Sequence, residues 1–140
     1  MNNYSFENER YKGQEIIFGK DVQKKLEKLN IFVVGAWAVG CELLKYFSLM
    51  GISTNLDALL SVTDHDIIEK SNLNRRFLFR EKDIIENKSK AECAVNSIKK
   101  INSKINSQYN VELVSDDIEN IFKEKFFKKQ NAIVLAVDNF

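Results

Sequence analysis

The chain has 140 residues, 44% of them apolar and 29% charged, and its 21 basic and 20 acidic residues leave a net charge of +1. That is one domain's worth of chain with enough apolar mass for a core, and near-neutrality excludes an overall pull toward nucleic acid or an anionic membrane, so any phosphate binding must be local. Two cysteines without paired spacing, Cys41 and Cys93, give no disulfide framework, and neither the polar segment Met1 to Arg10 nor any later stretch resembles a signal core or a run of about 20 apolar residues; the cytoplasm and nucleus are the expected setting.

Residues 1–10 read as a polar N-terminal segment and 11–140 as one domain. Lys20 to Leu29 carries Val22, Leu26 and Leu29 at helical spacing, with Asp21 where a carboxylate favours the helix dipole. Ile31-Phe32-Val33-Val34 is a continuous apolar run, as expected of a parallel strand covered on both faces. The turn Gly35-Ala36-Trp37-Ala38-Val39-Gly40 follows, and Ala38 to Met50 then reads as a helix closing at Gly51, a natural C-cap. Gly35, Ala38 and Gly40 are the candidates for close backbone approach to a ligand.

Leu59 to Thr63 is the next strand candidate, and Lys88 to Ile101 a second long helix with Ala91, Ala94, Val95, Ile98 and Ile101 on one stripe. Tyr109 to Val114 alternates as a strand, Ile118 to Phe127 reads as a helix, and Ala132 to Val137 as a buried strand ending on Asp138-Asn139. The order β-α-β-α-β-α-β implies an α/β, Rossmann-like, doubly wound and mainly parallel sheet. Ligands on such sheets bind beyond the carboxyl ends of the strands, here Gly35, Asp64 and Asp138.

Polar chemistry concentrates there. Between Asp64 and Arg76 stand three carboxylates (Asp64, Asp66, Glu69), two amides (Asn72, Asn74) and two guanidiniums (Arg75, Arg76). Such a set suits a nucleoside triphosphate: carboxylates for a ribose hydroxyl and Mg²⁺, and a planar donor fork for phosphate oxygens. His65, the only histidine, lacks partner cysteines or histidines and reads as a solvated loop residue.

Arg10-Tyr11-Lys12-Gly13-Gln14, Gly40-Cys41-Glu42-Leu43-Leu44-Lys45 and Glu69 to Arg80 together resemble the second adenylation half of the ubiquitin-activating enzymes, within the ThiF/MoeB-like adenylation superfamily. The resemblance runs from about Arg10 to Phe140. It implies ATP and Mg²⁺ as cofactors and adenylation of the C-terminal carboxylate of ubiquitin, or of a SUMO- or Nedd-type modifier, with release of pyrophosphate. It assigns Asp64 to the ribose; Asp66, Asn72 and Asp138 to the surroundings of nucleotide and Mg²⁺, with Asp66 and Asp138 as metal ligands; Arg75 and Lys88 to the triphosphate; and Asn139 to the pair completing the last strand. Arg75, Lys88 and Asp138 are then the residues that stabilise charge in the reaction.

Two positions depart from the pattern. Trp37 stands where the family has glycine; its ring either packs on the sheet edge, stacks near the adenine or obstructs the nucleotide. Arg76 stands where the family has glutamine. Cys41, near a helix N-terminus that could activate its thiol, reads instead as a core residue, since small buried cysteines are common, and the family's thioester cysteine lies in a separate downstream domain. The resemblance further implies an inactive partner adenylation half, a ubiquitin-conjugating enzyme recruited through domains outside this chain, and apolar surface that favours a homodimer or larger assembly. Two other readings share the fold: a dinucleotide oxidoreductase, for which Asn72, Arg75 and Lys88 have no use, and a non-catalytic interaction module, which Trp37 and Arg76 favour.

Overall fold

A computed structural model describes residues 9–73, 78–115 and 121–137, excluding the side chain of Asn72. The elements in order are α1 (Lys12–Phe18), α2 (Lys20–Glu27), β1 (Ile31–Val34), α3 (Ala38–Met50), β2 (Leu60–Thr63), α4 (Glu81–Ile85), α5 (Lys90–Ile101), β3 (Ser107–Asn110), α6 (Glu124–Phe127) and β4 (Ala132–Leu135). A 3-10 turn, Lys70–Asn72, follows the β2 loop.

The four strands form one parallel sheet in the order β3-β2-β1-β4. Register runs Val34↔Thr63 between β1 and β2 and Val34↔Leu135 between β1 and β4, so three strands end level with one another. The chain steps outward from β1 to β3 and returns to the other side as β4, which makes the β1/β4 boundary the switch point of a doubly wound, Rossmann-like sheet.

Alternation along β1 sorts the two faces. Ile31 and Val33 join Leu60, Val62, Leu44, Ala94, Val95 and Ile98 in the main core beneath α3 and α5. Phe32, fully buried, points the other way into an aromatic cluster, 4.8 Å from the Phe122 ring and 4.8 Å edge-on from Phe126. Neither Cys41 nor Cys93 is in a disulfide, both are buried, and Cys41 Sγ donates to the Ala36 carbonyl at 3.3 Å. The core reading of Cys41 therefore holds.

Helix ends follow their local chemistry. Gly51 closes α3 in the left-handed region at φ 78°, and a side chain there would also strike the Tyr11 ring. Ser89 caps α5 by accepting from the Glu92 amide at 3.1 Å, so that helix begins at Lys90. Arg10, Tyr11 and Gln14 fasten the start of α1 to the ends of α3 and α5: Arg10 donates to the Ile101 carbonyl, Asn102 donates to Tyr11 Oη, and Gln14 donates to the Met50 carbonyl.

Four elements differ from expectation. The third strand is Ser107–Asn110, earlier than Tyr109 to Val114, because pairing with β2 begins where Leu60 donates to the Asn106 carbonyl. The apolar run after Asn110 passes the end of β2. The last helix is Glu124–Phe127, and Ile121 to Lys123 lies outside it because Phe122 is drawn onto Phe32; residues 118–120 of that expectation fall outside the described ones. β4 ends at Leu135 and is not buried, with Ile133 47% and Leu135 62% exposed, since β1 is its one strand neighbour among the described residues. In α2 it is Gln23 that is buried while Val22 is exposed, because the Gln23 carboxamide donates to the Met50 carbonyl and to Glu27. Helices α1 and α4 and the 3-10 turn carried no clear periodic signal.

Candidate functional site

The level carboxyl ends of β1, β2 and β4 open into a cleft of about 290 Å³. Its walls come from the turn after β1 (Gly35, Trp37), the end of β2 and its loop (Thr63 to Asp66), the segment Glu112 to Val114, and Val137. Backbone geometry sets this up. Gly35 lies at φ 96° with the Ala136 carbonyl pressed against the face where a side chain would sit, and Gly40 has the Gly35 carbonyl in the same relation. Any side chain at either position would force the turn away from the sheet.

Asp64 is the anchor. It is 5% exposed, and it accepts from the Ala36 amide through Oδ2 at 2.7 Å and from the Asp66 amide through Oδ1 at 2.9 Å. One carboxylate thus holds the glycine turn and its own loop in fixed relation. Thr63 Oγ1 donates to the Glu112 carbonyl at 2.6 Å, which brings the segment after β3 over the cleft.

The β2 loop is also fixed to the start of α5. Ile68 donates to the Lys88 carbonyl, Lys90 donates to the Asp66 carbonyl at 2.9 Å, and Ile67 bridges Ser89. This places Lys90, a residue the sequence reading passed over, inside the site: it is 4% exposed, with Nζ 2.5 Å from Asp66 Oδ2 and 4.1 Å from the centroid of the Trp37 ring. That is cation–π distance to the aromatic ring best suited to it. A usable signal existed, because a lysine in the first turn of a helix opposes the dipole and calls for a carboxylate nearby.

Lys88 turns elsewhere. Its ammonium pairs with Glu86 and lies 3.9 Å from Asp83, and the Glu86 hydrogen bond holds the Lys88 pKa above its ordinary value and the Glu86 pKa below. Among the described residues it pairs with no carboxylate of the cleft. His65 is half exposed as expected, but its Nε2 lies 3.3 Å from Asp66 Oδ1 at the cleft wall. Trp37 is half-buried; its ring faces Lys90 and lines the cleft. Ala38 is exposed at the start of α3. Arg75, Arg76, Asp138 and Asn139 lie outside the described residues, as does the Asn72 side chain.

Asp64, His65 and Asp66 present ligand atoms within 4.8 Å of one another. The oxygen donors suit a hard divalent ion such as Mg²⁺, whereas a histidine nitrogen suits it poorly. Asp64 is committed to two amides, so Asp66, partly exposed at the cleft, is the carboxylate placed to hold such an ion, and its Oδ2 faces Lys90. No helix among the described residues is long and apolar enough to cross a membrane.

The model of the ThiF family matches residues 11–140. Among curated proteins, the chain is 46% identical over 130 residues to ubiquitin-like modifier-activating enzyme 1 of Dictyostelium discoideum, covering 93% of this chain and 13% of that protein. It is 43% identical over 132 residues to ubiquitin-activating enzyme E1 1 of Schizosaccharomyces pombe, covering 93% of this chain and 13% of that one, and 42% identical to human ubiquitin-like modifier-activating enzyme 6, covering 94% and 12%. The chain therefore spans about 13% of the length of the curated relatives it matches. Of solved structures, the Escherichia coli tRNA N6-threonylcarbamoyladenosine dehydratase in complex with AMP superposes with a TM-score of 0.77 at 20% identity, over 94% of this chain and 49% of that one. Escherichia coli MccB with ATP superposes with a TM-score of 0.66 at 27% identity, over 81% and 33%.

Proposed function

The chain belongs to the ThiF family, and on that premise we propose that residues 11–140 are an ATP-using adenylation domain of a ubiquitin-activating enzyme, acting in the cytoplasm and nucleus. The observation that carries this reading is Asp64: a buried carboxylate at the end of β2, cross-linking the glycine turn to the β2 loop at the floor of a cleft on the switch-point edge. The relatives at 42–46% identity are named as activating enzymes of ubiquitin or ubiquitin-like modifiers, which supports ubiquitin as the protein substrate.

In the proposed reaction a C-terminal carboxylate oxygen attacks the α-phosphorus of ATP. The bond to the bridging oxygen of the β-phosphate breaks, and pyrophosphate leaves with that electron pair. Alignment and charge neutralisation do the chemical work, because an ionised carboxylate needs no base. Asp64 would take the ribose hydroxyls, and Gly35, Ala38 and Gly40 give the turn its close approach. Arg75, Lys88 and Asn72 would take the phosphates, with Lys88 leaving Glu86 to do so. Mg²⁺, when bound through Asp66 and Asp138, supplies positive charge to the phosphate oxygens; Asn139 would complete that edge. The modifier, a conjugating enzyme and an inactive adenylation half are the expected partners, engaged through surfaces beyond this chain.

A second reading, a non-catalytic module, is favoured by one observation: the Lys90 ammonium pairs with Asp66 and sits over the Trp37 ring, at the position where the resemblance has glycine. Calorimetric titration with Mg·ATP separates the two. Adenylation requires binding by the wild-type chain that Asp64→Ala abolishes; a module binds nothing before or after the change. ATP–pyrophosphate exchange in the presence of ubiquitin, against a SUMO- or Nedd-type modifier, then tests the substrate.

A further inference from the structure

Lys90 has no part in the proposed reaction, yet among the described residues it is the most deeply buried cation beside the cleft. Its side chain is 5% exposed and that of its partner Asp66 is 31% exposed. A buried ammonium is tolerated only when paired, and here the pairing is twofold, to Asp66 Oδ2 at 2.5 Å and to the face of Trp37 at 4.1 Å. The two partners come from different elements, Trp37 from the turn before α3 and Asp66 from the β2 loop, so Lys90 joins the two sides of the cleft. Among the described residues, Asp64 and His65 of the β2 loop stand beside Asp66, and Glu112 is the other charged residue that lines the cleft.

All three of Asp64, His65 and Asp66 line the cleft, but Asp64 gives both carboxylate oxygens to backbone amides, whereas Asp66 turns Oδ2 to the Lys90 ammonium, so a divalent ion drawing on that oxygen meets the ammonium there. We propose that Lys90 is a positioning residue that serves as a built-in counter-cation: it holds Asp66 in place of a divalent ion and clamps Trp37 over the glycine turn, so Mg²⁺ must displace its ammonium to reach Asp66. The exchange moves no covalent bond and trades one cation for another. It rests on the nucleotide reading only for its physiological sense; the competition between Lys90 and Mg²⁺ does not require ATP. It also gives Trp37 a reason to stand where a glycine would let phosphate in, since the ring supplies the second half of the ammonium's cage.

The test titrates the whole 140-residue chain with MgCl2 alone and follows heat and the emission of Trp37, the only tryptophan. Lys90→Met keeps the length and apolar stem and removes the charge; it is expected to lower the Mg²⁺ Kd by about tenfold or more, the scale on which a neighbouring like charge acts on a site. Lys90→Arg keeps the cation and is expected to bind Mg²⁺ as weakly as wild type. In the wild-type chain, Mg²⁺ is expected to move Trp37 emission toward that of Lys90→Met. Equal Mg²⁺ affinity of wild type and Lys90→Met overturns the proposal, as does an equal gain in Lys90→Arg, or Mg²⁺ binding that leaves the emission unchanged. Circular dichroism checks each fold, and Lys90→Gln replaces the methionine variant if that one unfolds. Titration with Mg·ATP keeps the two ideas apart: an Mg²⁺ gain in Lys90→Met without ATP binding by any form leaves this proposal standing and removes the nucleotide reading. ATP binding with unchanged Mg²⁺ affinity does the reverse.

Discussion

Asp64 was legible in the sequence as a carboxylate at a strand end, but not as a cross-link; the two backbone amides that donate to it come together only when the glycine turn folds back over β2. Leaving two buried N–H donors unpaired costs about 1–3 kcal/mol each. Asp64→Ala is therefore expected to lower the urea midpoint as well as nucleotide affinity, and a variant that unfolds at the wild-type midpoint would contradict the cross-link. Lys90 is not legible as a site residue in the sequence because its direction depends on the helix start: the cap at Ser89 sends Lys88 to Glu86 and Lys90 to Asp66. Cys93 makes a pH prediction. Burial pushes its thiol from 9.0 up to about 12, with Asp83 and Glu92 adding to the rise. The folded chain keeps a proton that the unfolded chain releases, so this contribution is complete below the unfolded value of 9.0 and is lost as pH rises toward about 12. The stability advantage of wild type over Cys93→Ala, measured by urea melts, should shrink across that window; an advantage that grows would contradict it.

Elements with both a period and a stop signal were read closely from sequence. Ala38–Met50 with Gly51 behind it, Ile31–Val34 before Gly35, and Leu60–Thr63 all fold as expected or within one residue. Elements whose limits depend on tertiary partners were not. β3 is set by its pairing to β2, α6 by the pull of Phe32 on Phe122, and α1 by Gln14 and Tyr11 reaching the ends of α3 and α5. Two substitutions test the element ends. Gly51→Ala meets both the left-handed φ of 78° and the Tyr11 ring, and is expected to cost about 1–3 kcal/mol by thermal or urea unfolding. Ser89→Ala removes the cap of α5 and should cost about 1 kcal/mol; because it also loosens the Lys88 to Lys90 segment, its effect on Mg·ATP affinity should exceed that of Gly51→Ala.

At the scale of the whole molecule, a chain of net charge +1 has the cleft proposed to take nucleotide at one sheet edge, between the β2 loop and the glycine turn. The opposite tendency is apolar exposure. Ile16 and Ile17 on α1 are 79% and 76% exposed, and Ile133 and Leu135 on β4 are also open. Such surface is expected to drive self-association of the isolated chain, and light scattering should show a mass above the 16.2 kDa monomer; a monodisperse monomer at high concentration would contradict this. Whether Asp64 organises a nucleotide site on the switch-point edge is decided by calorimetric titration of the wild-type, Asp64→Ala and Trp37→Gly chains with Mg·ATP. Saturable binding by wild type is expected, retained in Trp37→Gly and weakened by more than about tenfold in Asp64→Ala. Binding that ignores Asp64, or no binding by either wild type or Trp37→Gly, would contradict it.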